Sequence, residues 1–374
     1  MGKKIAIFTQ PLGHNYGGII QNYALQQVLI KLGHQPTTIN RRNAETKYSL
    51  FELVKIEVAY KIKYRNRLPI VPRVLSKVYR NTIEFLNKNI SISKKIVNND
   101  DLVNYMHQNK FDVYLVGSDQ TWRPKYSPNI TTYFFDFLKD KSAKRISYAA
   151  SFGTDECEYT QEQLNACKPL LQQFDAISVR EDSGVKLCQD YFGVEASHVL
   201  DPTLLLTASD YDKVINRSKS NKGLFTYILD KSIEKQEFLL CCAKTLGLNI
   251  FSNQVNCELY KQRSNNIDDY IMPPLEGWLQ GFRDAEFVIT DSFHGTVFSI
   301  INQKPFIAIV NKERGASRFS SLLELLGLEN RMVEDVSKIP TSLLVEPIDY
   351  SKVNEKLNLL KQDSLQYLEN AINN

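Results

Sequence analysis

Apolar and polar residues alternate in short blocks along this chain, and the spacing within each block predicts its element. Residues 4–8 form an apolar run, followed by a loop that contains several glycines. Residues 19–32 then repeat apolar side chains at the spacing of one helix face. Gly33 is typical of a helix C-terminus, and residues 35–39 return to a strand pattern. A strand–helix–strand opening of this kind indicates a parallel sheet.

The same alternation continues to the end of the chain. Further strands are predicted at 113–116, in KRISYAASFG, DAISV and HVLDPTLLL, and at 223–229, 248–251, 287–289 and 306–310. Further helices are predicted at 233–246 and 275–283, from Ser292, in SRFSSLLELLGL and from Ser351. Because Pro202 marks a junction near residue 205, we predict an α/β fold of two Rossmann-like domains facing across a cleft. The predicted domains are residues 1–205 and 206–348, and a C-terminal helix follows at 349–374.

The polar loops after these strands carry the candidate chemistry, because ligands of open parallel sheets bind at the carboxyl ends of the strands. Asp119, Gln120 and Trp122 follow one strand and offer a carboxylate, an amide and an indole face to a sugar. An Asp-capped turn with a half-buried tryptophan explains the same residues. Arg180 follows another strand, where its planar guanidinium suits a carboxylate or a phosphate. A structural ion pair with a neighbouring acid is the alternative interpretation.

His294 stands in the first turn of a predicted helix that Asp291 or Ser292 caps. Free backbone N–H groups at a helix N-terminus attract anions. A bound phosphate or carboxylate there would favour the protonated imidazole. His294 is therefore a candidate proton donor to an anionic substrate, and a histidine packed into the domain wall is the alternative.

Signals for a metal or a resident cofactor are weak. The loop glycines Gly13, Gly17 and Gly18 match neither a dinucleotide fingerprint nor a P-loop. They allow a ligand to approach the helix closely, or they form a tight turn. Asp210 and Asp212 have a spacing that could hold a divalent metal, but helix capping explains them. We expect no metal, no cofactor and no nucleic-acid partner.

In seven ordered segments that cover most of the chain, this sequence resembles the polysaccharide pyruvyl transferase family: NYGGIIQNYALQ, YLVGSDQTW, SYAASFG, AISVREDSG, VLDPTLLL, TDSFHGTVFSI and SRFSSLLELLGL. The resemblance implies a fold like that of the two-domain GT-B glycosyltransferases, with the acceptor on the N-terminal domain and the donor on the C-terminal domain. It implies phosphoenolpyruvate as donor and a ketal-linked pyruvate on a sugar as product. It also implies a general acid at His294 and a donor-binding arginine at Arg180.

One position departs from that family pattern. Many relatives have Arg-Leu-His where this chain has Ser292-Phe293-His294. Arg314 or Arg318 is expected to take the place of the missing arginine.

These inferences combine into one set of predicted roles. The catalytic candidates are His294, Arg180 and Asp119; the donor-binding candidates are Ser292, Gly295, Arg314 and Arg318; the acceptor-binding candidates are Asn15, Gly17, Gly18, Gln120 and Trp122. An acid, a cationic anion clamp and a base are what pyruvyl transfer requires. Two other functions stay open, a nucleotide-sugar glycosyltransferase on the same plan and a carbohydrate-binding protein without catalysis.

Charge is unevenly distributed, although the net charge is only +4. A helical insertion is predicted at about 43–105, and residues 41–95 contain fourteen Lys and Arg against four Asp and Glu. This basic stretch is a contact surface for an anionic acceptor or for a membrane that holds a lipid-linked one, or it is a solvated helical face. No apolar run reaches the about 20 residues of a membrane span, and the N-terminus lacks a signal pattern. We expect a cytoplasmic protein, with the inner face of the membrane as a candidate peripheral contact.

Overall fold

The first part of the chain forms a parallel sheet from the predicted apolar runs. The computed structural model describes residues 2–42, 50–63, 71–127, 129–140, 142–215, 221–255, 264, 266–310, 315–340 and 342–374. The strands of the first part are β1 (Lys4–Phe8), β2 (Gln35–Thr38), β3 (Val113–Val116), β4 (Lys144–Ser147), β5 (Ser178–Val179) and β6 (Ser197–His198). Its helices are α1 (Tyr16–Lys31), α2 (Leu50–Lys63), α3 (Pro72–Val78), α4 (Arg80–Asn89), α5 (Asn99–Asn109), α6 (Gln161–Leu171) and α7 (Asp182–Leu187).

The first sheet has the order β2-β1-β3-β4, and all of its strand pairs are parallel. Single backbone bridges join Ile146 to Ala176 and Ala150 to Val179, and β5 pairs with β6 in parallel. β1 and β3 are buried on both faces almost throughout, which is why their sequences read as continuous apolar runs.

A second parallel sheet follows, with the order β11-β10-β9-β7-β8. Its strands are β7 (Leu224–Tyr227), β8 (Ile250–Phe251), β9 (Phe287–Thr290), β10 (Phe306–Ile309) and β11 (Met332–Val333). The helices of this part are α8 (Ala208–Tyr211), α9 (Ile233–Leu246), α10 (Leu275–Asp284), α11 (Phe293–Ile301), α12 (Ser317–Leu326), α13 (Ser342–Val345) and α14 (Tyr350–Asn373).

One apolar core connects the two sheets. It runs from β1 and α1 to α10 and α11, and the rings of Tyr16 and Trp278 lie 5.9 Å apart within it. The last helix, α14, returns to the first half of the chain, where Tyr367 donates a hydrogen bond to the carbonyl of Ser147 in β4 and Ser364 accepts one from the backbone of Leu200, both at 3.0 Å. Burial of α14 against residues far from it in sequence therefore holds the two halves of the chain together.

Most predicted elements are confirmed within a few residues. The first helix begins at Tyr16 instead of residue 19, so Gly17 and Gly18 belong to its first turn. The segment HVLDPTLLL is only partly a strand, because β6 ends at His198 and Pro202–Leu205 form a 3-10 helix. The predicted boundary at residue 205 lies at the end of that 3-10 helix. None of the helices in the described ranges is long and apolar enough to cross a membrane.

Candidate functional site

A cavity of about 430 Å³ opens where the carboxyl ends of strands from both sheets meet. Loops after β1, β3, β7 and β9, together with α12, form its wall. Its lining includes Asn15, Asp119, Gln120, Ser292, Phe293, His294 and Arg318. A larger cavity of about 870 Å³ lies beside α5 and residues 137–140, near the amino end of β3. Ligands of parallel sheets bind at the opposite edge, so the smaller cavity is the candidate site.

α11 presents His294 to this cavity from its first turn. Ser292 is the N-cap, and its hydroxyl accepts a hydrogen bond from the backbone N–H of Gly295 at 3.3 Å. Asp291 has another function, because its carboxylate accepts hydrogen bonds from the backbone of Leu229 and from Lys235, at 2.6 and 2.8 Å. Ser292, and not Asp291, is therefore the cap.

His294 faces a buried carboxylate that belongs to the other half of the chain. Nε2 of His294 lies 3.6 Å from Oδ2 of Asp201, which is too long for a hydrogen bond but within ion-pair range. The same Asp201 oxygen accepts a hydrogen bond from Nη1 of Arg180 at 2.8 Å and one from the amide of Gln21 at 3.3 Å. Burial alone would raise the pKa of Asp201, but His294 and Arg180 outweigh burial and hold that pKa well below its ordinary value. Asp201 is thus an anion that links the histidine to the arginine.

Arg180 is almost completely buried and is not among the cavity-lining residues. Besides its bond to Asp201, its guanidinium lies 3.8 Å from Glu181 and 4.0 Å from Asp119. Burial would lower the pKa of Arg180, but these carboxylates raise it. This placement does not match the prediction that Arg180 binds the donor directly, because its guanidinium already lies beside three carboxylates.

Arg318 is the arginine that reaches the cavity wall. Its guanidinium carbon lies 5.6 Å from the centre of the Phe293 ring, and that of Arg180 lies 4.9 Å from the same ring. Burial, and then the positive charge of Arg180, lower the pKa of Arg318 to about 10. An anion in the cavity would relieve this repulsion. Arg314, the other expected substitute, lies outside the described residues.

The two glycines of α1 make room for the side chains of the site. A β-carbon at Gly17 would lie 2.3 Å from Nδ1 of His294, and one at Gly18 would lie 3.3 Å from a carboxylate oxygen of Asp119. Gly17 therefore permits the contact between α1 and His294. Neither glycine lines the cavity; of the predicted N-terminal loop residues, Asn15 does.

Asp119 and Gln120 lie on the cavity wall, as expected of residues after β3. Asp119 has a φ of 72°, in the left-handed region that aspartate tolerates better than most residues. Its carbonyl accepts hydrogen bonds from the backbone N–H groups of Thr121 and Ser151, at 2.8 and 3.0 Å. These bonds hold the loop so that the carboxylate faces the cavity.

The prediction that Trp122 stacks on a sugar is wrong. Trp122 is completely buried, stacks on Phe134 at 5.4 Å, and donates its indole N–H to the carbonyl of Tyr133 at 3.2 Å. The indole instead packs in an aromatic cluster with Phe134, Phe152 and Phe174, inside the core of the first half of the chain. The predicted donor contact at Gly295 is also unsupported, because Gly295 packs on Thr290 and gives its N–H to the helix cap.

Sequence reasoning missed Asp201. The available signal was an acid directly before Pro202, after a predicted strand and in line with the other strand-end loops. Asp210, by contrast, is confirmed as a capping residue, since its carboxylate accepts from the backbone of Thr207 at 3.0 Å and pairs with Lys31 at 2.8 Å. Within the described part of the chain, no three His, Cys, Asp or Glu residues are grouped to hold a metal ion.

Comparison with known proteins identifies the family and the type of fold. A family model described as polysaccharide pyruvyl transferase matches residues 15–313. No curated protein matches the sequence. The spinosyn forosaminyltransferase SpnP aligns over 100% of both chains, with 12% identity and a TM-score of 0.50. Arabidopsis thaliana UGT89C1 complexed with UDP-L-rhamnose aligns over 98% of this chain and 95% of its own, with 10% identity and a TM-score of 0.50. These two structures show that the fold is of the GT-B glycosyltransferase type.

Proposed function

The chain belongs to the polysaccharide pyruvyl transferase family, and from that premise we propose that it transfers pyruvate from phosphoenolpyruvate to a sugar as a ketal. The sugar is part of a polysaccharide or of its precursor. Family membership supports a transferase with a sugar acceptor.

One observation carries the proposal: a histidine and an arginine share the cavity wall at the N-terminus of α11. Phosphoenolpyruvate carries a phosphate and a carboxylate, and both anions suit Arg318 and the adjacent helix N-terminus. The donor would also offset the repulsion that Arg180 exerts on Arg318 across the Phe293 ring. Arg318 thus supports donor binding in place of the arginine that position 292 lacks.

In the proposed reaction, His294 donates a proton to the methylene carbon of phosphoenolpyruvate, which becomes a methyl group. Positive charge develops at the adjacent carbon, and a sugar hydroxyl bonds to that carbon as Asp119 accepts the hydroxyl proton. A second sugar hydroxyl then bonds to the same carbon, and the bond between that carbon and the phosphate oxygen breaks. One hydroxyl proton leaves with the phosphate and the other restores the proton of His294, so atoms and charge balance.

Asp201 and Arg180 would act through His294 without touching the donor. The Asp201 carboxylate faces Nε2 at 3.6 Å and so helps to orient the imidazole ring. Arg180 fixes that carboxylate at 2.8 Å and balances its buried charge. Both are positioning residues, since neither is on the cavity wall.

A crystal soaked with phosphoenolpyruvate tests the assignment of the donor. We expect its phosphate within hydrogen-bond distance of Arg318 and its methylene carbon facing His294. A thermal-shift comparison with UDP- and GDP-sugars separates the glycosyltransferase alternative. Stabilisation by a nucleotide sugar and none by phosphoenolpyruvate would overturn the donor. No phosphate release with any sugar acceptor would instead indicate a carbohydrate-binding relative without catalysis.

A further inference from the structure

The helix α2 carries a row of apolar side chains that the rest of the protein leaves exposed. Phe51, Val54, Val58 and Ile62 are exposed by 69, 58, 51 and 77%. Their spacing of three and four residues places all four within an arc of about 80° at 100° per residue. Scattered exposed apolar residues are ordinary on protein surfaces, but a continuous row on one helix face marks an interaction surface. We call this row the α2 apolar face.

The insertion that holds the α2 apolar face is rich in positive charge. Among residues 50–95 whose side chains the structure describes, seven exposed residues are basic: Lys55, Arg73, Lys77, Arg80, Lys88, Lys94 and Lys95. Only Glu52 and Glu84 are exposed acids in the same set. An exposed apolar helix face within a basic segment suits the interface of an anionic bilayer, where apolar side chains enter the headgroup boundary and basic side chains meet anionic lipids. A protein partner with an apolar groove would not require this excess of positive charge.

The insertion that holds α2 also contacts the rim of the candidate site. Tyr79, between α3 and α4, stacks on His14 with ring centres 5.4 Å apart. His14 is next to Asn15, which lies on the cavity wall. The insertion thus reaches from α2 to the loop that borders the cavity.

From the exposed apolar row and the basic charge of the insertion, we propose that the α2 apolar face docks the protein on an anionic membrane surface. Phe51, Val54, Val58 and Ile62 enter the boundary between headgroups and acyl chains, and the basic residues of the insertion contact the anionic headgroups. The docking itself does not depend on the transfer chemistry. Its use, presenting a lipid-linked sugar to the cavity, rests on the proposed function.

Vesicle co-sedimentation of the full chain tests the docking, with phosphatidylcholine vesicles that contain 30% phosphatidylglycerol. We expect binding at low salt that weakens as salt rises, and much weaker binding to pure phosphatidylcholine. The double variant Phe51→Ser with Ile62→Ser should bind at least tenfold more weakly. Arg73→Gln with Lys77→Gln should weaken binding by about tenfold or more, in proportion to the charge removed.

Matched control variants lie on other helices. Ile233 and Leu240 of α9 are 75 and 65% exposed, and they lie about two helical turns apart on the same face of the helix. The double variant Ile233→Ser with Leu240→Ser should leave binding unchanged. Lys338→Gln with Lys352→Gln, at two side chains exposed by 80 and 81%, is the charge control. Melting temperatures of all variants should match the wild type, because each side chain is exposed.

Several results would overturn the inference. The first is no binding to anionic vesicles at low salt, and the second is an equal loss of binding from the α9 pair. A third is a wild-type dimer that Phe51→Ser with Ile62→Ser converts to a monomer, without vesicle binding, which would assign the face to a second copy of the chain. The donor is absent from all of these measurements. A failure of the pyruvyl-transfer proposal would therefore leave the docking result standing, and the reverse also holds.

Discussion

The ring of His294 lies beside the first half of the chain. A β-carbon at Gly17 of α1 would come within 2.3 Å of Nδ1, and Nε2 faces Asp201, which lies before the 3-10 helix Pro202–Leu205. The cap residue Ser292 and Phe293 precede the histidine in α11, and all three residues line the cavity. Catalytic geometry of this kind needs rotamers held from several sides, since small misplacements cost large factors in rate.

The variant His294→Asn should keep the fold and most of the donor affinity, because the amide fills nearly the same space. Turnover should fall by roughly 10²–10⁴, the usual contribution of a positioned general acid. Phosphate release under saturating phosphoenolpyruvate measures the loss, and donor-induced stabilisation measures the retained binding. His107→Asn, at an exposed position of α5, is the control. A variant with more than about a tenth of wild-type turnover would show that His294 is a wall residue.

Substitution of the two arginines around Phe293 should affect different properties, stability for Arg180 and donor binding for Arg318. Arg180→Ala leaves the carboxylates of Asp201 and Glu181 buried without their partner, so it should lower the free energy of unfolding by about 3–5 kcal/mol. Arg318→Ala should leave stability nearly unchanged and raise the KM for phosphoenolpyruvate, because Arg318 lines the cavity. Urea unfolding and initial-rate kinetics on both variants measure this contrast. If Arg180→Ala stayed stable and it alone bound the donor weakly, Arg180 and not Arg318 would be the donor-binding arginine.

At the scale of elements, the first turn of α1 meets the first turn of α11. Gly17→Ala would place a β-carbon 2.3 Å from His294, whereas Gly18→Ala would place one 3.3 Å from Asp119. Both changes favour the helix by about 1 kcal/mol, so the pair is matched in propensity. We expect Gly17→Ala to reduce turnover at least tenfold through displacement of the imidazole, and Gly18→Ala to reduce it much less. Equal turnover in both variants would mean that α1 does not position the histidine.

The junction of α8 with α1 depends on an ionised carboxylate. Burial alone would raise the pKa of Asp210, but hydrogen bonds from Lys31 and Thr207 outweigh it and hold the pKa well below its ordinary value. A carboxyl group with a lowered folded-state pKa stabilises the protein above its unfolded pKa, about 3.9, and loses this effect as the pH falls further.

We therefore expect Asp210→Asn to lower the free energy of unfolding by about 0.5–1 kcal/mol at pH 7. The difference from wild type should stay constant down to about pH 5 and shrink below about pH 4. Urea unfolding across this range is the measurement, with Asp363→Asn on an exposed part of α14 as the control. A difference that grew on acidification would contradict the assigned role of the ionised group.

At the scale of the whole molecule, the cavity takes its wall from both sheets, so a bound donor should stabilise the complete fold. Phosphoenolpyruvate should raise the melting temperature in the presence of EDTA, because Arg318 and the N-terminus of α11 supply the positive charge. At a hundredfold excess over Kd, the native state gains about 2.7 kcal/mol by mass action. Stabilisation that appeared only with Mg²⁺ or Mn²⁺ would show that a metal takes part in donor binding.

The local sequence pattern was sufficient to predict most of the helices and strands, their order along the chain and the family. Strand and helix periods depend on neighbouring residues, so the apolar runs of β1, β3 and β9 and the helix after Ser292 could be located from the sequence. The placement of polar residues at strand ends was sufficient to propose His294, Asp119 and Gln120 for the cleft.

Only the tertiary structure decided which strand-end residues meet. Of the candidate arginines Arg180 and Arg318, it is Arg318 that lines the cavity. Trp122 is buried in the core, and Asp201, which sequence reasoning missed, faces His294. The contact between Asp201 and His294 joins residues far apart in sequence, and it depends on sheet order and on how closely α1 approaches α11. Burial follows from competition among all apolar surfaces of the folded chain, so periodicity in one segment cannot determine whether an indole or a guanidinium faces the core or the cavity.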